Sequence, residues 1–322
     1  MNNTIYRFMS LSQFSVATLR LAAWIGLAGA TTLLQPTSSS AASMTTIESN
    51  FESSGLEGWR TEELCCDHSA QIVSDPEPAY EGDYALRFKL RRNDPDIARS
   101  KRAEVKLRPV EPNSEYTYRF RTFLPQSFTS DREREIIAQW HSRPDFSLGE
   151  GRPGAPPLSL HTINGDWMVL RRWDSKQITQ TNQPEGKQNL NLGEYVTNEW
   201  TDWVFQVKWS HTEDGMLKVW KDGKLVVEES GANTYNDLIG TYFKAGIYKP
   251  GWKHRPERSA VDERVVFFDD VNIIDSIDSI SANPDLTADS AAVPEPLTLL
   301  GTGTALGLGA VFKRRYSRGK KP

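Results

Sequence analysis

The chain has 322 residues, enough for one large domain or two small ones. Its 10 Trp and 13 Phe are more than a wholly disordered chain carries, so a packed core is expected. Between its two basic ends, residues 43–292 hold 30 basic and 41 acidic residues, and this net charge of −11 excludes a general polyanion binder. Any anionic ligand must therefore be held by a local basic patch.

Residues 1–42 have the composition of a secretory signal. Arg7 and Arg20 are their only charged residues, and an apolar run from Leu21 to Leu34 follows. Small residues up to Ala42 suit a signal peptidase. We therefore expect an exported protein that is cut near Ala42.

Two adjacent cysteines, Cys65 and Cys66, are the only ones in the chain. Export permits disulfides, but two cysteines exclude a disulfide framework. Two alternatives remain, a pair of free thiols or a bridge between neighbours.

Residues 43–275 show the two-residue alternation of β-strands and almost no helical periodicity. The first informative strand is Lys101–Leu107, where Arg102, Glu104 and Lys106 share one face. The residues between them are apolar and are expected to face the core. The alternation of Tyr and Phe with Thr and Arg over 116–121 predicts another strand.

The middle of the chain adds further polar groups. Gln139 and His141 share a face of the strand predicted over 136–141. A long loop is expected over 143–157, which is rich in Gly and Pro. We expect the residues that follow to offer basic and stacking groups to the same groove, namely His161 and the run Arg171-Arg172-Trp173, with Arg171 and Trp173 as the contacts.

The last strands complete the pattern. A strand over 203–209 places large apolar residues on one face, and Asp222-Gly223 predicts a two-residue hairpin turn. In the strand over 242–249, Tyr242, Lys244, Gly246 and Tyr248 share a face, and 265–271 is the final strand. Many short strands separated by turns predict an all-β fold, an antiparallel two-sheet sandwich of the jelly-roll kind.

The C-terminal end has three parts in order after a polar linker over residues 276–292. Pro294-Glu-Pro296 precedes an apolar stretch from Leu297 to Phe312, and a basic cluster ends the chain. Residues 293–322 therefore resemble the PEP-CTERM sorting signal. The resemblance implies an exosortase-type sorting machinery as partner, transient anchoring in the membrane by this segment, and delivery to the cell surface or extracellular matrix.

Three of the strands resemble those of the jelly-roll polysaccharide lyases, a group that includes alginate lyases, glucuronan lyases and the heparin lyase I type. The matching segments, in the order of that group, are Arg102-Ala-Glu-Val105, Gln139-Trp-His141 and Tyr242-Phe-Lys-Ala-Gly-Ile-Tyr248. The resemblance covers roughly residues 85–275 of a domain expected over 43–275. Val105 and Trp140 depart from the usual Leu and small aliphatic residue, which bears on the substrate more than on the reaction.

The resemblance implies cleavage of a uronate-containing, anionic polysaccharide by β-elimination. Arg102 and Gln139, with His141 as a third candidate, neutralise the uronate carboxylate. Tyr248 protonates the leaving oxygen, and either Tyr248 or His141 removes the C5 proton. Lys244 beside Tyr248 favours the phenolate. The remaining polar residues are predicted to bind substrate, namely Glu104, Lys106, His161, Arg171, Trp173 and Tyr242.

Two other classes compete with this interpretation. A carbohydrate-binding or matrix-structural protein on the same sandwich needs stacking aromatics but not this polar set. A glycoside hydrolase needs two catalytic carboxylates, and the Glu-x-Asp-x-x-Glu strand of the laminarinase type is absent from the sequence. No cofactor is required by the reaction, and nucleic acid is not expected as a partner. Related lyases often hold a structural calcium ion, to which Asn236 and Asp237 are possible contributors.

Overall fold

The computed structural model describes residues 47–53, 55–56, 58–75, 77–151, 154–180 and 183–275. The predicted signal over 1–42, the linker over 276–292 and the sorting segment over 293–322 lie outside the described residues. Within the described ranges, no helix is long and apolar enough to cross a membrane.

Nearly all the regular structure in the described part of the chain is β-strand, because its alternating sequence suits pleated backbone with one buried face. In chain order the strands are β1 (Ile47–Ser49), β2 (Arg60–Glu63), β3 (Ala70–Val73), β4 (Ala85–Arg91), β5 (Arg102–Lys106), β6 (Glu115–Phe123), β7 (Glu135–Arg143), β8 (Leu158–Ile163), β9 (Asp166–Trp173), β10 (Gly186–Glu194), β11 (Trp200–Lys208), β12 (Met216–Lys221), β13 (Lys224–Ser230), β14 (Ile239–Tyr248) and β15 (Glu263–Asp275).

These strands form two antiparallel sheets. The first sheet has the order β13-β12-β11-β6-β15-β4-β3, and β1 pairs with β15. The second sheet has the order β10-β9-β8-β7-β14-β5-β2. Strands distant in the chain are neighbours in both sheets, so the predicted two-sheet sandwich is confirmed.

The core lies between the sheets and is rich in aromatic rings. Trp203 and Phe205 of β11 are fully buried, as are Trp140 of β7 and Phe243 of β14. The Trp140 and Phe205 rings, which belong to different sheets, are 4.7 Å apart between centroids. The second sheet therefore turns its other face, with the alternate side chains, away from the core.

The connections follow the turn residues of the sequence. Asp222 and Gly223 both have positive φ and join β12 to β13, as predicted. A short helix, α1 (Gly251–His254), follows β14, and single 3₁₀ turns lie at Phe146–Leu148 and Pro256–Arg258. The loop predicted over 143–157 contains the first of these turns. Cys65 and Cys66 form a vicinal disulfide, the second of the two alternatives.

Candidate active site

A cavity of about 810 Å³ opens on the face of the second sheet that is turned away from the core. The five residues predicted to be catalytic all line it, namely Arg102, Gln139, His141, Lys244 and Tyr248. They come from three adjacent strands, β5, β14 and β7. The alternation that the sequence shows therefore places these side chains together.

The strand register explains their proximity. In the central strand β14, Lys244 pairs with Gln139 of β7, and Tyr248 pairs with Arg102 of β5. Directly paired residues of antiparallel strands carry side chains on the same face. The register therefore places two cross-strand pairs in succession along β14, at the floor of the cavity.

A bulge in β14 adjusts this register close to Tyr248. The pairing with β7 shifts between Ala245 and Tyr248, so β14 carries one extra residue there. Gly246 lies in the bulge with φ +135°, and a Cβ at this position would overlap the carbonyl oxygen of Ala103 on β5. Only glycine allows β5 to approach β14 this closely.

The floor of the cavity is a network of four charges. Arg102 Nη1 donates to Glu63 at 2.9 Å and to Glu104 at 3.3 Å. Lys244 Nζ donates to Glu104 at 2.8 Å and also to Glu63, and Gln139 donates its amide N–H to Glu104. Although burial opposes the effect, Lys244 and Arg102 lower the pKa of Glu63 to about 2. Both acids therefore balance both cations.

His141 is a neutral group in this charged setting. Burial, and then the charge of Lys244, lowers the pKa of His141 to about 4. Its Nδ1 lies 2.9 Å from the carbonyl oxygen of Ser142, which only accepts a hydrogen bond. The neutral ring therefore carries its proton on Nδ1 and presents a lone pair on Nε2. The ring stacks on Tyr242, with centroids 5.6 Å apart.

Arg102, rather than Lys244, is the cation that contacts Tyr248. The guanidinium carbon lies 4.2 Å from the centre of the phenol ring. The Lys244 ammonium, which the sequence suggested as the partner of Tyr248, is bound by the carboxylates of Glu63 and Glu104.

Comparison with known proteins assigns the chain to a family. A family model described as polysaccharide lyase matches residues 50–272. The chain belongs to this polysaccharide lyase family. A comparison with curated proteins finds no match.

A solved structure shares the fold of this polysaccharide lyase. An endo-β-1,4-glucuronan lyase from the fungus Trichoderma reesei superposes with a TM-score of 0.58 at 21% identity, over 71% of this chain and 94% of that one. The alginate lyase A1-II′, of polysaccharide lyase family 7, superposes with a TM-score of 0.46 at 12% identity, over 67% and 92% of the two chains.

The structure places some of the residues predicted to bind substrate at the cavity and others away from it. Tyr242 of the lyase lines the cavity, and Glu104 is buried in the network beneath it. Lys106 lies on the same strand face as Arg102, with its Nζ 3.7 Å from Glu62, and does not line the cavity. His161 is buried under the cavity wall, where its Nε2 and the Ser159 hydroxyl are 2.7 Å apart.

Arg171 and Trp173, which were predicted to line the groove, do not line this cavity. Trp167 of β9 is in the core, and the uninterrupted alternation carries Arg171 and Trp173 to that same face. Arg171 instead donates to the carbonyl of Ser230, at 3.2 Å, in the first sheet. Arg172, between the two, lines the cavity.

Sequence reasoning missed several groups that line this candidate active-site cavity. They are Glu63, Arg99, Arg134 and His254. Arg99 lies in a loop with positive φ, and His254 ends helix α1, so no strand period marks either of them. For Arg172, the sequence did hold a signal. Trp167 faces the core, so the two-residue alternation turns Arg172 to the opposite face.

One cluster among the described residues has the ligands of a cation site. Carboxylate oxygens of Asp145, Glu150 and Asp237 lie within 4.8 Å of one another, and such oxygens suit Ca²⁺. Burial, and then the charge of Glu150, raises the pKa of Asp237 to about 7. Asn236 instead donates its amide to the Ser175 carbonyl, at 3.0 Å. None of these residues lines the active-site cavity.

Proposed function

We propose that the protein is an exported polysaccharide lyase that cleaves a uronate-containing polysaccharide by β-elimination. Each cleavage leaves a 4,5-unsaturated uronate at the new end. The observation that carries the proposal is the meeting of Arg102, Gln139, His141 and Tyr248 in one cavity of a polysaccharide lyase. An anionic polysaccharide is the partner that this cavity suits.

The first requirement of β-elimination is that the charge of the uronate carboxylate is neutralised. While the carboxylate is charged, the neighbouring C5 proton is only weakly acidic. Gln139 supports this step, since its Oε1 is buried without a hydrogen-bond partner among the described residues. That oxygen can accept a hydrogen bond from a protonated carboxyl group of the substrate. The second amide hydrogen of Gln139 can donate a hydrogen bond to the same carboxyl group. Arg102 supplies a fixed positive charge on the adjacent strand.

The second requirement is a base for C5 and an acid for O4. The Nε2 lone pair of neutral His141 is a suitable acceptor at neutral pH. The Tyr248 hydroxyl, on the ring against which the Arg102 guanidinium stacks, is the acid for the leaving oxygen, and as a phenolate it is the alternative base. Both assignments use groups that line the same cavity.

Hydrolysis fits the site less well. A retaining or inverting glycosidase needs one carboxylic acid that holds a proton near neutral pH. The two carboxyl groups beside the candidate residues are Glu63 and Glu104, and both are ion-paired with Arg102 and Lys244. Since the pKa of Glu63 is about 2, this group is not a proton donor.

The test is a panel of uronans incubated with the purified protein and read by the ultraviolet absorbance of the unsaturated product. We expect absorbance to rise with at least one uronan. Reducing ends that appear without that absorbance would indicate hydrolysis, and binding without any cleavage would indicate a carbohydrate-binding protein.

We further propose that the ends direct export and sorting. The support is the sequence pattern of residues 1–42 and 293–322. Intact-mass measurement of the protein from its native host is the test. We expect a mature species that begins near residue 43 and lacks the apolar stretch after Pro296. A species that retains Leu297–Pro322 would contradict processing of the tail.

A further inference from the structure

Besides Arg99, two arginines that line the cavity form no ion pair among the described residues. Arg134, which precedes β7, and Arg172 of β9 both line the cavity. Among the described residues neither forms an ion pair, whereas Arg102 is paired with Glu63 and Glu104. The Arg172 guanidinium donates to the carbonyl of Pro156, at 2.7 Å, and to no carboxylate among the described residues.

The acids next to Arg134 in sequence are engaged elsewhere. Glu133 is bound by Arg255 at 3.0 Å and by Arg258 at 2.9 Å. Glu135 is buried on the opposite side, where Arg264 lies 2.8 Å from it and Lys249 also binds it. The charge of Arg134 is therefore left for a group that enters the cavity.

His161 is close enough to both arginines for their charges to act on it, and it does not balance them. It is 1% exposed, and burial, with Arg134 and Arg172 adding to it, lowers its pKa well below the usual range. Burial and Arg134 also lower the pKa of Arg172 to about 10. Two cations held close together without a counter-charge destabilise each other until an anion binds.

Arg172 is separated from Tyr248 by the order of the strands, whereas Arg134 is close enough to Tyr248 for their charges to interact. Ile136 pairs with Tyr248 on one side and with His161 on the other. His161 therefore lies two strand spacings, about 10 Å, from Tyr248 across the sheet. Arg172 lies one strand farther, on β9, three strand spacings or about 14 Å from β14. A carboxylate bound by Arg172 therefore belongs to another sugar of the chain than the one on which Tyr248 acts.

We propose that Arg134 and Arg172 form a second anion subsite, which binds the carboxylate groups of the sugars that flank the cleaved unit. The inference rests on the proposed lyase function and specifies its substrate as a polymer of consecutive uronates. Guanidinium groups suit this role because they bind carboxylates through two parallel hydrogen bonds.

The test measures binding in a Tyr248→Phe background, so that the ligand survives. Two oligosaccharides of equal length are compared, one of consecutive glucuronates and one of glucuronate alternating with neutral N-acetylhexosamine. We expect Arg134→Gln and Arg172→Gln each to weaken binding of the first by about tenfold or more. Binding of the second should change by less than about twofold. Arg132→Gln is the control, because Arg132 is exposed and outside the cavity.

Several outcomes would overturn the subsite. They are affinities equal to the Arg132→Gln control, equal losses for both ligands, and competition by a carboxyl-free sulfated glucan as strong as by the uronate oligomer. Arg134→Lys, which keeps the charge, should retain more binding than Arg134→Gln, and melting curves identify any variant that fails to fold. Unsaturated product from the wild type tests the lyase function separately, so failure of the subsite leaves that function intact.

Discussion

The guanidinium carbon of Arg102 lies 4.2 Å from the ring centre of Tyr248, and the two residues are paired across β5 and β14. A phenylalanine at position 248 keeps this stacking and removes only the hydroxyl. We therefore expect Tyr248→Phe to lower the turnover of a uronan by about 10²- to 10⁴-fold, the usual contribution of a general acid or base. Stopped assays of unsaturated product measure the rate, and binding should be nearly unchanged.

A second stacked pair provides the control for this variant. The Arg121 guanidinium carbon lies 3.9 Å from the centre of the Tyr80 ring, outside the active-site cavity. Tyr80→Phe should leave turnover within about twofold of the wild type, because surface changes of this size rarely propagate. Equal rates for Tyr248→Phe and Tyr80→Phe would remove Tyr248 from the proton transfer.

Glu63 should make the stability of the protein depend on pH below 4.5. Its pKa falls from 4.5 to about 2 on folding, because Lys244 and Arg102 outweigh burial. A lowered pKa means that the unfolded chain binds more protons between these pH values. The stabilisation is therefore complete above pH 4.5 and is lost as the pH falls through 2. It amounts to about 3 kcal/mol in full, of which about 2 kcal/mol is lost by pH 3.

Urea denaturation at pH 6 and pH 3 measures this contribution. The difference in unfolding free energy between the two pH values should be smaller in Glu63→Gln than in the wild type by about 2 kcal/mol. Glu62 is the neighbouring control, since its side chain is 60% exposed. If Glu62→Gln and Glu63→Gln lose the same pH dependence, the ion pairs of Glu63 do not stabilise the fold.

His141 should stay uncharged throughout the neutral range. Burial and the charge of Lys244 lower its pKa to about 4, so the unfolded chain takes up the proton first as the pH falls from 6.5. We expect a ring-nitrogen resonance that titrates near pH 4 in ¹⁵N-histidine spectra and that disappears in His141→Asn. A resonance assigned to His141 with a midpoint near 6.5 would contradict the neutral base.

The sequence predicts the part of this site that lies on regular strands, because there the face on which each side chain lies follows from its position in the two-residue alternation. Inside a regular strand the two-residue period assigns every side chain to a face, which is why Arg102, Gln139 and Lys244 are predicted correctly to share one cavity. The same rule, applied from Trp167, separates Arg172 from Arg171. The sandwich itself follows from the same alternation, since each strand buries one apolar face.

Residues outside long strands are beyond this rule. Glu63 ends β2, a strand of only four residues, and its partners Arg102 and Lys244 lie 39 and 181 residues away in the chain. His254 ends helix α1, which has only four residues and therefore no strand period. Their positions depend on which strands pair, and strand order in a sheet with distant neighbours is not encoded in local alternation.

The bulge at Gly246 leads to the last prediction. Gly246 has φ +135°, and a Cβ there would overlap the Ala103 carbonyl and lie 2.8 Å from the Cα of Glu104. Gly246→Ala therefore strains the backbone and pushes β5 away from β14. We expect a loss of at least about 3 kcal/mol in the free energy of unfolding, as for other clashes in a packed interior. Any folded fraction should lose turnover as well, because Arg102 and Tyr248 lie across this strand pair.

Gly223 separates backbone strain from the clash in the same experiment. It also has positive φ, +74°, but a Cβ there meets no atom within 4 Å. Gly223→Ala should therefore cost only about 1–2 kcal/mol, the price of a left-handed alanine, and leave turnover unchanged. Chemical denaturation gives both free energies and the uronan assay gives both rates. Equal losses of unfolding free energy and turnover in the two variants would mean that β5 moves at Ala103 with little cost in free energy. The close approach of β5 and β14 would then not be the cause of the contact between Arg102 and Tyr248.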